Sequence, residues 1–194
     1  AVFKGSIEEI HRPQKPEETP GHPVYIFKQE NRELEMLIRD RIEPHIKSFR
    51  ESDDKENLNR LKQDFEALWE IDKHFSRKEN LLFPYMEKYG ITAPPKVMWG
   101  VDDEIRVEIK DVRQMLSDYK GNREQIVEKA KNAASKVTEM IFKEESILFP
   151  MVLETLSEDE WLKISEESKE IGFCLIEPTD TWKPERVSVE AKAR

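Results

Sequence analysis

Five carboxylates and two histidines stand in this chain where they could build a cation site. The spacing Met98, 102, Ile105, Ile109 puts Asp102 on the apolar side of its helical pattern. Glu144 falls between Met140 and Ile147, and Glu30 between Phe27 and Leu34. Asp72 and Glu79 lie seven apart within the series Leu68, Phe75, Leu82. His22 opens the first of these patterns and His74 sits inside the second. A carboxylate taken out of water needs a cation or a metal beside it. Carboxylate oxygens and imidazole nitrogens converging from several helices suit iron or zinc in a bundle interior. Two assignments without metal stay open, with Asp102 capping the start of its helix and Glu144 pairing with Lys78.

Four long helical patterns carry these residues. The first runs over about 22–50 and shows Phe27, Leu34, Leu37, Ile38, Ile42 and Phe49 at three- and four-residue steps. The second, over 55–89, shows Leu61, Phe65, Leu68, Phe75, Leu82 and Met86, with Gly90 and Pro94-Pro95 as its stop. The third, over 97–119, carries Met98, Ile105, Ile109, Val112 and Leu116. The fourth, over 122–154, carries Ile126, Ala130, Ala133, Val137, Met140, Ile147 and Met151. Ser157-Glu-Asp-Glu160 then reads as a capping box that opens a shorter helix to about Ile171. Short connections between long helices make neighbours antiparallel, which predicts an all-α, up-down four-helix bundle with a short extra C-terminal helix.

Composition agrees. With six Gly in 194 residues and an excess of Glu, Lys and Leu, a fold of many strands and tight turns is excluded. The net charge of −9 argues against nucleic acid as the principal partner, since phosphate binding needs concentrated basic surface. No run approaches the ~18 consecutive apolar residues of a membrane span. A single cysteine, Cys174 in Gly172-Phe-Cys-Leu-Ile176, rules out a disulfide framework within the chain. It fits a reducing, cytoplasmic setting and reads as a buried structural thiol. Three prolines within 12–20 mark a linker. The expected organisation is therefore 1–20 as the end of a preceding domain plus linker, 21–176 as the bundle and 177–194 as a polar linker or tail. His11 and His45 have no motif around them and read as surface or helix-end residues.

The second and fourth patterns echo each other. In His74-Phe-Ser-Arg-Lys-Glu-Asn-Leu-Leu-Phe-Pro84 and Met140-Ile-Phe-Lys-Glu-Glu-Ser-Ile-Leu-Phe-Pro150, six of eleven residues match or nearly match. These segments, His22 at the start of the first helix, and Trp99-Gly-Val-Asp-Asp-Glu-Ile-Arg106 in the third give the body a resemblance. Over 21–176 it resembles hemerythrin-like HHE cation-binding domains. It is most similar to a prokaryotic subgroup with an N-terminal domain of unknown function and often a C-terminal PAS sensor domain.

That resemblance implies a non-heme iron centre, mononuclear or di-iron, with zinc or no metal as the alternatives. It implies His22, His74, Glu79, Asp102 and Glu144 as the metal ligands. It also shows departures. The family's His-x-x-x-Glu pattern would place an acid at position 78, where this chain has Lys78, and the acid is the following Glu79. On an ideal α-helix His74 and Glu79 point about 140° apart, and the strongest stripe of the second helix turns His74 off the core. Asp102 and Met140 stand where the family usually has histidines. The expected role is a cation-binding sensory or regulatory module for oxygen, nitric oxide or redox state, acting through a partner such as PAS. The alternatives are a non-heme iron oxidoreductase and a metal-free interaction bundle. No Glu-x-x-His pair falls within the four long patterns, which weighs against an enzyme of the ferritin-like kind.

Overall fold

The computed structural model describes residues 15–185. The first helix, α1, consists of Pro23–Leu37, a wide π turn at Ile38–Ile42, and Glu43–Glu51. Helix α2 consists of Lys55–Leu68, Ile71–Arg77, a π turn at Lys78–Leu82, and Phe83–Lys88. Helix α3 is Ala93–Ser117. Helix α4 consists of Arg123–Lys143, a π turn at Glu144–Leu148, and Phe149–Thr155. Helix α5 is Glu158–Ile171. The first four pack in a ring, α1 on α2, α2 on α3, α3 on α4 and α4 on α1, and α5 lies against α1 and α2. This is the predicted four-helix bundle with its short extra helix.

The apolar stripes close on one core. Phe27, Leu34, Phe49, Phe65, Phe75, Leu82, Ile105, Ile109, Val137 and Phe149 are all essentially sealed from solvent. Local signals set the helix ends. Asp54 accepts from the Asn57 amide at 2.8 Å and caps α2. Ser157 and Glu160 form the expected reciprocal box at the start of α5. Pro94 and Pro95 depart from expectation, because they lie in the first turn of α3 instead of ending α2. A proline there gives up an N–H that has no helical partner anyway.

The three π turns share a cause. Pro44, Pro84 and Pro150 each follow one of them by a residue or two. Proline lacks the amide the α ladder needs, and its ring collides with the carbonyl four residues back. Widening the preceding turn moves that carbonyl away while the helix continues.

The polar tail expected after residue 176 differs from a free linker. Beyond Gly172 the chain runs extended back over the bundle, burying Cys174 and setting Trp182 against the His22 ring with centroids 4.6 Å apart. Gly21, at φ +87°, admits this crossing: a Cβ there would lie 2.7 Å from the Trp182 nitrogen. Among the described residues no helix is long and apolar enough to cross a membrane.

Candidate functional site

The two echoed segments meet. Lys78 and Glu144 are the first residues of their π turns, and they face each other across the bundle with Nζ 2.8 Å from Oε2. Lys78 Nζ also donates to Asp102 Oδ1 of α3 at 2.8 Å. The ammonium is fully buried and lies 4.6 Å from the centre of the Phe75 ring.

His74, one turn earlier on α2, occupies the same centre and is 1% exposed. Its Nε2 is 2.8 Å from Glu144 Oε1 and its Nδ1 is 3.0 Å from Glu30 Oε1. The expectation that the α2 stripe turns His74 off the core is thus corrected. An ideal α-helix cannot serve both His74 and the residues after Pro84, and the π turn between them resets the angular register. Glu30 gathers further donors. Arg77 Nη1 reaches both its oxygens at 2.7 Å, and the Cys174 amide donates to Oε2. The Arg77 guanidinium lies between the rings of Phe27 and Phe173, at 4.4 and 4.7 Å.

Of the five residues expected as ligands, His74, Asp102 and Glu144 converge around Lys78. Glu79 is buried beside them, but both its oxygens accept from Arg106, at 2.7 and 2.9 Å. Asp72 binds the same guanidinium at 2.8 Å. His22 is buried yet engaged elsewhere. Its Nδ1 accepts from the Val24 amide at 3.1 Å as the cap of α1, and its ring lies between Trp161 and Trp182.

The electrostatics follow from these contacts. Burial alone would lower the His74 pKa, but the carboxylates of Glu144 and Glu30 overcome it and raise it to about 9. Burial likewise opposes ionisation of Glu144, yet His74 and Lys78 bring it down to about 2. The Lys78 ammonium stays charged against its burial because Glu144 and Asp102 flank it. Burial pushes the Asp102 carboxyl up to about 8 against the pull of Lys78, with Glu79 alongside adding to the rise. His22, desolvated and without an acid partner, falls to about 4.

Well over half of the chain, residues 22–152, matches the family model described as the hemerythrin HHE cation binding domain. The chain belongs to that family. Its members bind metal cations, typically iron. No curated protein matches the chain significantly.

The donor set of this chain fits such a cation poorly. Both His74 nitrogens face carboxylate oxygens as hydrogen-bond donors and keep no lone pair for a metal. The inward oxygens of Asp102 and Glu144 point at an ammonium. Among the described residues no group of three or more His, Cys, Asp or Glu side chains is arranged to hold a metal ion.

Several participants were not singled out from the sequence. Arg77 and Asn31 are buried in the network, and Asn31 Nδ2 donates to Glu144 and Glu145 at 3.2 and 3.1 Å. An Arg-Lys pair three residues past a core histidine was the available signal for Arg77. His45 is more than a surface residue, because its Nδ1 binds the buried Asp64, which also holds Arg41. Cys174 is the buried thiol expected, raised above the ordinary range first by burial and then by Glu30 and Glu70. His11 lies outside the described residues.

Proposed function

We propose that this member of the hemerythrin HHE family is a sensory or regulatory helical module that acts through a partner domain and performs no turnover of its own. The supporting observation is closure of the polar centre. Glu30, His74, Lys78, Asp102 and Glu144 are each at most 1% exposed. A substrate would need a path to these groups, whereas a regulatory bundle needs only a core whose packing reaches its surface. A PAS-type sensor is a fitting partner class, since the bundle then relays a signal of oxygen, nitric oxide or redox state received elsewhere. A second reading, a bundle that offers only an interaction surface, is favoured by Lys78, whose charge locks the centre into one arrangement.

The deciding experiment supplies the purified protein with ferrous iron and follows dioxygen in a sealed electrode cell. Oxygen uptake no faster than that of ferrous iron in buffer is expected. Catalytic uptake, many equivalents per chain, would overturn the regulatory reading in favour of an iron oxidoreductase.

A further inference from the structure

We propose that the Lys78 ammonium is the resident cation of this bundle, a tethered charge that holds Asp102 and Glu144 together at the centre where its family binds a metal, so that the fold is complete without metal. The four helices each bring a carboxylate or its partner to one centre: Glu30 and Asn31 from α1, His74, Arg77 and Lys78 from α2, Asp102 from α3 and Glu144 from α4. Carboxylates in a dry interior repel one another and must be compensated. A metal would do this by gathering several oxygens around a point charge. Lys78 does the same from within the chain, bridging α3 and α4 with two contacts of 2.8 Å.

The rest of the network is arranged around an occupied position. Glu144 spends its second oxygen on His74, and His74 spends its second nitrogen on Glu30. Glu30 is saturated by Arg77 and the Cys174 amide. Glu79, the remaining acid at the level of Lys78, is neutralised separately by Arg106. A divalent ion entering beside the ammonium would meet its repulsion and would have to break these pairs. The position of Lys78 is also directed. It begins a π turn, and Glu144, its counterpart in the internal repeat, begins another, so the ion pair joins equivalent points of two related segments.

The first measurement uses the unmutated protein from an iron-supplemented culture, dialysed against a chelator and then titrated with ferrous iron, manganese(II) and zinc(II). Metal well below one equivalent per chain is expected, with a melting temperature unchanged by chelator or by any of the three metals. One or two equivalents retained through the chelator would overturn the proposal. The second measurement replaces the charge. Lys78→Ala should lower the melting temperature by on the order of 10 °C, from the penalty of stranding buried acids, and one of the three metals should restore part of the loss. Lys78→Met keeps the volume without the charge and should be destabilised with no recovery by metal. Either variant melting with the unmutated protein would overturn the proposal, and the methionine variant decides the matter should the alanine variant not fold. A metal that binds without oxygen turnover would sink the tethered-cation inference and leave the regulatory reading standing.

Discussion

Replacing Glu30 by glutamine tests how strongly the polar centre holds the bundle. The side chain keeps its shape, but the network loses one of the acids that face His74, Arg77 and Lys78. Arg77 and His74 are each about 1% exposed, so water does not screen the charge left over. Breaking one side of a buried ion pair costs about 3–5 kcal/mol. The amide adds a second penalty, since its NH2 must face Arg77 Nη1 together with either His74 Nδ1 or the Cys174 amide, all of them donors. One stranded donor costs about 1–3 kcal/mol. Partial relaxation of His74 towards its neutral form offsets some of this, so a net loss of about 3–5 kcal/mol is expected. That is a large fraction of the ~5–15 kcal/mol that holds a typical domain together. Urea unfolding followed by far-ultraviolet circular dichroism gives the number, with Glu66→Gln as the control. Glu66 pairs with Arg113 at the surface and should change stability by less than about 1 kcal/mol. Adding Arg77→Met to Glu30→Gln should recover part of the loss, because methionine can lie between Phe27 and Phe173 without a charge. A Glu30→Gln loss below about 1 kcal/mol, or a double variant weaker than the single by the full effect of Arg77→Met, would refute the reasoning.

Stability should fall on the alkaline side. His74 rises from 6.5 to about 9 on folding, so its contribution is full below pH 6.5 and is lost as pH climbs through 9, about 3 kcal/mol in all. Asp102, raised from 3.8 to about 8, shifts stability in the same direction, and urea midpoints that increase between pH 6.5 and 9 would contradict both. Cys174 should be inert to a thiol reagent in the folded protein and react at once in denaturant, because it is buried and its thiolate is disfavoured. Gly21→Ala should cost about 1–3 kcal/mol from its left-handed backbone, and should also loosen the crossing at Trp182, seen as faster amide exchange in residues 177–185.

The helices were legible because their apolar residues recur with a clean period, and the capping box at Ser157 marks α5 without ambiguity. Glu30, Asp102 and Glu144 were legible for the converse reason, as acids on an apolar stripe. The resemblance put His74 among the interior residues, but the stripe alone turned it outward, since a uniform 100° step has no means of expressing the π turn that follows it. The prolines at 44, 84 and 150 were the only trace of those turns, and a proline ordinarily signals an end. Pro94-Pro95 misled in the same way, because the residue type marks a boundary but not which side of it the helix lies on. Arg77, Arg106 and Asn31 escaped notice because a polar or charged residue in a highly charged sequence attracts none, and only the fold reveals which of them point inward. Trp182 escaped because one aromatic in a polar stretch has no period at all.

Each π turn makes its helix one residue longer than an α-helix of the same span. Deleting a single residue between Lys78 and Leu82 would restore regular helix there and leave everything beyond at about its present angle to His74, because the wide turn exists to absorb that one residue. Phe83 and Met86, both buried, would stay on the core side, but the Pro84 ring would return against a carbonyl. A deletion in the same helix at residue 59 or 60, outside any wide turn, would leave an uncompensated rotation of its own. Insertions and deletions in this chain are therefore not interchangeable along a helix. Pairing it with a relative that has no wide turn requires a one-residue gap within Lys78–Leu82. A gap placed elsewhere in α2 assigns every residue between it and that turn to the wrong face.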